Sequence, residues 1–193
     1  FCILSQGVPF MQAGEEILRT KPAKKGGFDE NSYRSPDKVN SIKWEDLDKE
    51  EYQKILSFYK GLIAFRKEHP SLRLRTRKEV WKKVHPEYIH NEHVVAFHVD
   101  EKDQEIIAIF NADTGNVTVE LPEGNWEVQI REGEAGVNSL EMVKGKVSVA
   151  PISAMVLVKK KPVDVVAALI WEKDKFLIAS GLPTKPEVCS GNS

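Results

Sequence analysis

The sequence predicts a mixed fold in which a helical segment is followed by a larger set of antiparallel strands. Apolar residues recur at helical spacing between residues 48 and 69, and the period changes to two after Val94. Short, continuous apolar runs also occur, at residues 8–11 and 106–110, and such runs suit strands that are buried on both faces. A last apolar pair of segments follows Lys161 and predicts a hairpin.

Composition excludes several classes of protein. The chain has 193 residues, of which 41% are hydrophobic and 30% charged, and its formal net charge is -1. This balance is typical of a globular domain and not of a disordered or membrane protein. A net charge near zero gives no electrostatic reason to expect a nucleic-acid partner. Cys2 and Cys189 lie at opposite ends, so no disulfide framework is expected. A cytoplasmic location is predicted, although a secreted protein without disulfides fits the same count.

The front of the chain predicts a buried strand followed by a long loop. Residues 8–11 form a short apolar run after Gly7, which suits a fully buried strand. The opening stretch is too short to span a bilayer and lacks the basic flank of a signal peptide. A buried element this close to Phe1 predicts that further sequence lies upstream. Residues 18–44 are polar and rich in Gly, Pro, Asn and Ser, as functional loops often are.

A helix is predicted between this loop and Pro70. Asp48 is the expected N-cap, with Glu51 at the capping-box position. Pro70 ends the helix, because proline disfavours a helical conformation at His69. Apolar and aromatic side chains recur along one face of the helix, at Tyr52, Ile55, Leu56, Tyr59, Leu62 and Ile63.

The region after Val94 predicts an antiparallel β-sandwich of roughly six to eight short strands. Residues 122–125 read as a turn, and residues 147–149 and 154–158 add further strands. Three alternating sets are each expected on one side of a strand: Val95, Phe97 and Val99; Val117, Val119 and Leu121; and Trp126, Val128 and Ile130.

Residues 163–179 predict a separate hairpin. Its strands are expected at residues 165–171 and 176–179, with a turn at 172–175 and a polar tail after Gly181. A two-stranded hairpin is only marginally stable in water. It is therefore expected either to lean on another element or to belong to a sheet whose other strands are missing.

The front segments resemble a known family. The stretch GVPFMQAGEEILRTK and the following ENSYRSPDKVNSIKW look like the eighth barrel strand and its loop in type I pullulanases, glycoside hydrolases of the α-amylase superfamily. LIAFRKEHPSLR resembles the last barrel helix, and VAPISAMVLVKK resembles the end of the C-terminal β-sandwich domain. The resemblance covers residues 1–160. It implies the end of a β/α (TIM) barrel in residues 1–80 and a β-sandwich in 81–161. Residues 162–193, the hairpin and its polar tail, form a third predicted segment outside this resemblance.

The resemblance also implies a function. A parent enzyme of this type hydrolyses α-1,6-glucosidic branch points of starch or glycogen, with pullulan, limit dextrin or glycogen as the α-glucan substrate. No cofactor, metal, nucleic acid or membrane is implied. The family's catalytic acids lie on earlier strands, so no catalytic residue is expected in this chain, which is predicted to be inactive alone. Barrel active sites lie at the C-terminal ends of the strands, and the chain would supply one wall of that cleft.

Four loop side chains are the predicted substrate-binding residues: Asn31, Tyr33, Asp37 and Asn40. Their amide, hydroxyl and carboxylate groups suit sugar hydroxyls, but the same residue types also form Asx-turns that hold a loop together. Glu15 and Glu16 are not a catalytic pair, because neighbours on a strand point to opposite faces. Glu16 and Arg19 are expected to pair with each other near the strand end.

Three other patterns favour structural interpretations. His90 and His93 have a spacing seen in metal sites, but zinc needs about four ligands and no partner lies near in sequence. Trp126 and Tyr88 are candidate sugar-stacking platforms, although Trp126 lies on an alternating strand and is expected in the core. The basic cluster from Arg73 to Lys83 is interpreted as a solvated surface.

The hairpin segment has a second resemblance. VDVVAALIWEKDKFLI is similar to the opening hairpin of Nudix hydrolases, but the chain shows no glutamate-rich magnesium-binding helix. This predicts a severed neighbour domain, a change of reading frame or a hairpin docked on the sandwich. Two alternative functions therefore accompany the debranching one. They are a non-catalytic carbohydrate-binding β-sandwich module and part of a fused Nudix pyrophosphohydrolase.

Overall fold

The computed structural model describes residues 1–162, 168–172 and 175–179. The chain forms two compact units, Phe1–Lys160 and Lys161–Ser193. The first unit contains three α-helices: α1 (Asp37–Asn40), α2 (Glu50–Glu68) and α3 (Arg77–Lys83). Five short 3₁₀ helices accompany them, at Cys2–Leu4, Glu15–Ile17, Ser32–Arg34, Trp44–Asp48 and Pro70–Arg73.

The strands of the first unit form two antiparallel sheets. They are β1 (Val84–Glu87), β2 (Val94–Asp100), β3 (Gln104–Asn111), β4 (Val117–Glu120), β5 (Trp126–Arg131), β6 (Glu134–Ala135), β7 (Glu141–Val143), β8 (Lys146–Val149) and β9 (Ser153–Lys160). The larger sheet has seven strands in the order β1-β2-β3-β9-β5-β6, with β7 also paired to β5. Strands β4 and β8 pair with each other as the smaller sheet. The mixed, antiparallel character predicted from the sequence is confirmed.

Each face of the larger sheet is covered by a different element. On one face, Ile107, Ile109 and Leu157 share a core cluster with Val119 of β4 and Val147 of β8. The residues of the opposite face share a second cluster with side chains of α2 and of the first 3₁₀ helix, namely Val99, Ile106, Ala108, Val156 and Val158 with Phe65 and Leu4. Alternation along β2, β3 and β9 supplies both faces, which is why each of these strands contains a continuous apolar run.

A β-bulge in β5 corrects one predicted set. Val128 pairs with Leu157, and Ile130 pairs with Val156. The pairing therefore advances by two residues along β5 and by only one along β9. The inserted residue is Gln129, and a bulge of this kind reverses the side on which the following residues point. Trp126 and Val128 therefore lie in the cluster under the smaller sheet, whereas Ile130 lies in the cluster under α2. The prediction that these three share one face is wrong for Ile130.

Helix α2 begins one residue later than predicted and ends where expected. Its N-cap is Lys49, because Asp48 belongs to the preceding 3₁₀ helix, and the predicted cap by Asp48 is wrong. The helix ends at Glu68, with His69 as C-cap directly before Pro70. Its buried stripe includes Phe58 and Phe65, which the predicted face omits, while Ile63 is exposed.

Residues 8–11 are wrongly predicted as a buried strand. No strand forms there, and the side chains of Val8 and Phe10 are 96% and 91% exposed. A strand needs neighbours that pair its backbone N–H and C=O groups. The stretch before it is instead fixed by Arg66 of α2, whose guanidinium donates to the carbonyls of Ile3, Ser5 and Gly7 at 2.8, 2.7 and 2.6 Å.

The second unit contains an antiparallel hairpin of β10 (Ala168–Glu172) and β11 (Lys175–Ala179). Ala168 pairs with Ala179, and Glu172 pairs with Lys175. Glu172 and Lys175 therefore belong to the strands and not to the predicted turn. Residues 165–167 of the predicted first strand, with residues 163–164 before it, residues 173–174 of the turn, and the tail from residue 180 lie outside the described residues. Among the described helices, none is both long and apolar enough to cross a bilayer.

Candidate functional site

The entry to the long loop is a tight turn built on glycine. Gly14 has a φ of 99° and precedes the 3₁₀ helix Glu15–Ile17, after which Leu18 also lies in the left-handed region. The Glu16 carboxylate accepts the backbone N–H of Gly14 at 3.0 Å. Glu16 therefore stabilises the backbone of its own turn.

Arg19 connects this turn to the far end of the loop. Its guanidinium donates to the Ala13 carbonyl at 3.2 Å and to the Asn40 carbonyl. A Cβ on Gly14 would lie 2.6 Å from Cδ of Arg19, so the arginine crosses the turn only because residue 14 is glycine. The predicted Arg19–Glu16 pair is wrong, since each side chain binds main-chain groups instead.

The first half of the loop is a small hairpin. Pro22 and Phe28 form an isolated antiparallel bridge, and the Asp29 N–H donates to the Lys21 carbonyl at 2.8 Å. Gly26 and Gly27 both have positive φ and form the tip, where Gly27 accepts the Ala23 N–H at 3.0 Å.

The second half of the loop is held to the first by side chains. Lys21 donates to the Ser32 hydroxyl at 2.8 Å, and the Ser35 hydroxyl donates to Asp29. The Asn40 amide donates to the carbonyls of Ser32 and Ser35 at 2.7 and 2.8 Å. Together with Arg19, these bonds close residues 14–40 into one preformed unit.

A polar concavity of about 260 Å³ opens on this loop. It presents positive and negative groups side by side, which can donate to and accept from a polyhydroxylated ligand. Helix α2 adjoins the same region: burial, with the charges of Glu15 and Glu16 nearby, raises the pKa of Tyr59. The lining residues are Gln12, Ala13, Glu15, Arg19, Lys21, Asp29, Glu30 and Ser32.

The four predicted substrate-binding residues lie around this concavity and not in its lining. Asn40 is committed to the loop's own backbone. Asn31 and Tyr33 are exposed, and Tyr33, which is 78% exposed, lies 5.6 Å from the Arg34 guanidinium. Asp37 is exposed in the first turn of α1, where its charge is favourable to the helix dipole.

Sequence reasoning missed Arg19, Lys21 and Asp29 as a group that lines one concavity. The sequence did carry a signal for two members of this group. Gly26 and Gly27 lie between two charged segments, a pattern that predicts a hairpin and so brings Lys21 and Asp29 together. The position of Arg19 had no such signal, because its partners lie in a turn and a helix that only the fold brings together.

The other candidate residues differ in burial, with one in the core and the others on the surface. Trp126 is fully buried and donates its indole N–H to the Pro122 carbonyl at 3.0 Å, as expected for a core residue. Tyr88 is exposed and contacts His90 edge to face, while His93 lies 3.9 Å from Glu92. Within the described part of the chain, no group of three or more His, Cys, Asp or Glu side chains is placed to hold a metal ion.

Comparison with known proteins finds similarity to pullulanases. The chain is 35% identical over 126 residues to pullulanase of Bacillus subtilis (strain 168). Its fold matches the pullulanase of Bacillus acidopullulyticus with a TM-score of 0.74 and 31% identity over 82% of this chain. It also matches a Paenibacillus barengoltzii pullulanase in complex with maltohexaose and α-cyclodextrin, with a TM-score of 0.68 and 36% identity over 83% of this chain. No protein-family model matches the sequence.

The matched region is a small part of each relative. The chain spans 16% of the B. subtilis pullulanase, 19% of the B. acidopullulyticus structure and 24% of the P. barengoltzii structure. The similarity is therefore to a region of these pullulanases and not to their full length.

Proposed function

We propose that this chain forms part of a pullulanase-type debranching glycoside hydrolase that cleaves α-1,6-glucosidic bonds. The observation that carries the proposal is the agreement of sequence and fold with pullulanases over most of residues 1–160. Within such an enzyme, residues 14–44 would form one wall of the substrate cleft, and the two sheets would support that wall.

The substrate is proposed to be an α-glucan, such as pullulan, limit dextrin or glycogen. Structures similar to this one are pullulanases complexed with maltotetraose, maltotriose or maltose. The concavity beside Arg19, Lys21 and Asp29 offers both donors and acceptors to sugar hydroxyls. The cytoplasmic location and the Nudix-like origin of the hairpin stay predictions from sequence.

The loop would act by being rigid before substrate arrives. Asn40 and Arg19 bind four main-chain carbonyls between them, so the exposed side chains of Asn31, Tyr33 and Asp37 are carried on a braced backbone. A preformed wall loses little conformational entropy when a sugar chain binds. Of these side chains, Tyr33 offers the largest exposed surface for a sugar ring.

A chimeric enzyme tests the proposal. Residues 1–160 replace the matching region of the B. subtilis pullulanase, and release of reducing ends from pullulan is measured after circular dichroism confirms folding. We expect hydrolysis, and we expect Tyr33→Ala in the chimera to raise KM by about three- to tenfold, in keeping with the loss of one aromatic contact.

Lys24→Ala, at the exposed tip of the same loop, is the matched control and should leave KM unchanged. A folded chimera that binds maltotetraose but releases no reducing ends from pullulan would contradict the proposal. Equal KM values for the Tyr33 and Lys24 variants would show that Tyr33 does not contact the substrate.

A further inference from the structure

Helix α3 carries a surface whose chemistry the cleft does not use. Four side chains on successive turns of this helix are exposed, namely Arg77, Lys78, Trp81 and Lys82. At 3.6 residues per turn they cover about 140° of the helix circumference, and the exposed Arg75 precedes them. We call these five residues the α3 surface.

The positive charge of the α3 surface is not balanced locally. Among the salt bridges between described residues, none includes Arg75, Arg77, Lys78 or Lys82. The nearby acid, Glu79, is bound to Thr76: its carboxylate accepts the Thr76 N–H at 3.0 Å and the Thr76 hydroxyl at 2.8 Å. These hydrogen bonds, with the charge of Lys83 nearby, lower the pKa of Glu79, whose single negative charge compares with four positive charges on the α3 surface.

One pair of charges within the α3 surface is mutually repulsive. Lys78 and Lys82 are four residues apart, a spacing at which like charges repel across one turn. The cationic face of this seven-residue helix, in a chain of net charge -1, is complementary to an anionic ligand.

Trp81 makes the α3 surface more than a charged patch. Its indole is 70% exposed, and the Arg77 guanidinium lies 4.8 Å from the ring centroid. An exposed indole offers a flat apolar face to the C–H side of a sugar ring, as aromatic residues do at wet interfaces. Guanidinium and ammonium groups beside it are the side chains that bind phosphate oxygens most strongly.

We propose that the α3 surface binds phosphorylated α-glucan, with a glucosyl ring on Trp81 and its phosphate ester held by Arg77 and Lys78 or Lys82. The inference rests on the proposed function for its sugar, and on the charge and exposure of α3 for its phosphate. It adds to that function a site outside the loop of residues 14–44, one that would keep the enzyme on phosphate-bearing regions of a branched polymer.

The test is affinity electrophoresis of the full chain in native gels that contain phosphorylated amylopectin, or the same amylopectin after phosphatase treatment. We expect the apparent Kd to be about tenfold lower for the phosphorylated polymer, the size of one charge-assisted contact. We expect the double change Lys78→Gln with Lys82→Gln to abolish that difference, and we expect Trp81→Ala to weaken the binding of both polymers. Glutamine keeps the helix propensity close to that of lysine.

The charge-matched control is Lys144→Gln with Lys146→Gln, which removes two exposed lysines outside both the loop of residues 14–44 and the α3 surface and should leave the difference intact. Equal retardation by the two polymers would overturn the inference while leaving the proposed debranching function untouched. Retardation by dextran sulfate that matches phosphorylated amylopectin and survives Trp81→Ala would also overturn it, since the surface would then bind any polyanion. The chimera's activity on unphosphorylated pullulan reports on the proposed function independently.

Discussion

Glu101 is a charged residue held by several hydrogen bonds at a largely buried position in the first unit. Its side chain is 9% exposed and lies beside His69, which is 3% exposed, with 3.1 Å between His69 Nδ1 and Glu101 Oε2. The Ser71 N–H and hydroxyl and the Gln104 amide also donate to Glu101. These contacts join the end of α2 to the turn between β2 and β3. Burial alone would raise the pKa of Glu101, but the hydrogen bonds from His69, Ser71 and Gln104 lower it to about 2.

Glu101 should therefore make stability depend on acid. A carboxyl whose pKa is lower in the folded state stabilises the fold above its unfolded value, and that contribution is lost as pH falls toward the folded value. We expect Glu101→Gln to lower the free energy of unfolding by about 2 kcal/mol at pH 7, less than the full shift implies because water screens part of the site. The difference between the two proteins should shrink as pH falls from about 4.5 to 2.

Urea unfolding at a series of pH values measures this difference. Glu92→Gln is the control, since Glu92 is exposed and 3.9 Å from an exposed His93. A difference between wild type and Glu101→Gln that stays constant down to pH 2 would show that the carboxylate is not preferentially stabilised in the fold.

At the scale of elements, the sequence predicts well what depends on periodicity. The stop of α2 at His69 follows from Pro70 alone, and β3 and β9 follow from uninterrupted apolar runs. The bulge at Gln129 was not predictable in this way, because alternation carries no sign of an inserted residue. Residues 8–11 were misassigned for a different reason. Their apolar pattern is that of a strand, but pairing partners are a property of the fold and not of the segment.

Gly61 tests the contact between α2 and the edge of the larger sheet. A Cβ on Gly61 would lie 1.9 Å from the backbone oxygen of Ala135 in β6, so the helix and the strand must separate to admit it. We expect Gly61→Ala to destabilise the protein by about 1–3 kcal/mol, although alanine is the better helix former. The measurement is the free energy of unfolding in urea.

Gly115→Ala is the matched change for this test. A Cβ at Gly115 meets no atom within 4 Å, so we expect an effect within about 0.5 kcal/mol. If Gly61→Ala were as stable as Gly115→Ala, the close approach of α2 to β6 would not exist in solution.

Hydrogen exchange should separate the front segment from the sheet. The amides of Ile107–Ile109 lie in β3, which pairs with β2 on one side and β9 on the other. The amides of Val8, Phe10 and Met11 have no strand beside them. We expect the first set to exchange only on global unfolding and the second at nearly the rate of an unstructured peptide. Comparable protection of both sets would show that residues 8–11 are paired in solution.

At the scale of the whole molecule, sheet and loop have different roles. Two core clusters lie on opposite faces of one sheet. Helix α2 contributes side chains to the second cluster, and its Tyr59 also lies near Glu15 and Glu16 at the entry of the loop. The sheet thus fixes α2, and α2 in turn positions the turn at Gly14. Composition and resemblance predicted the polar loop, but which of its polar groups face a common cavity depends on this long-range packing.

The whole chain should not hydrolyse pullulan by itself. A retaining glycosidase needs two carboxyl groups about 5 Å apart, of which one is kept protonated by apolar surroundings. Around the concavity, Asp29 accepts a hydrogen bond from Ser35, and Glu16 is bound to Gly14. Glu15 and Glu30 share the lining with Arg19 and Lys21, so this lining is polar and differs from the apolar pocket that the catalytic acid of such an enzyme needs.

We therefore expect purified chain to release no more reducing ends from pullulan than a heat-denatured sample, under conditions in which the B. subtilis pullulanase is active. The informative variant is Glu15→Gln. The Glu15 carboxylate lines the concavity and, unlike that of Glu16, accepts no hydrogen bond from its own turn among the described residues. Turnover by the wild-type chain that disappears in Glu15→Gln would show that the loop carries its own catalytic acid. The proposal that it forms only one wall of a cleft would then be wrong.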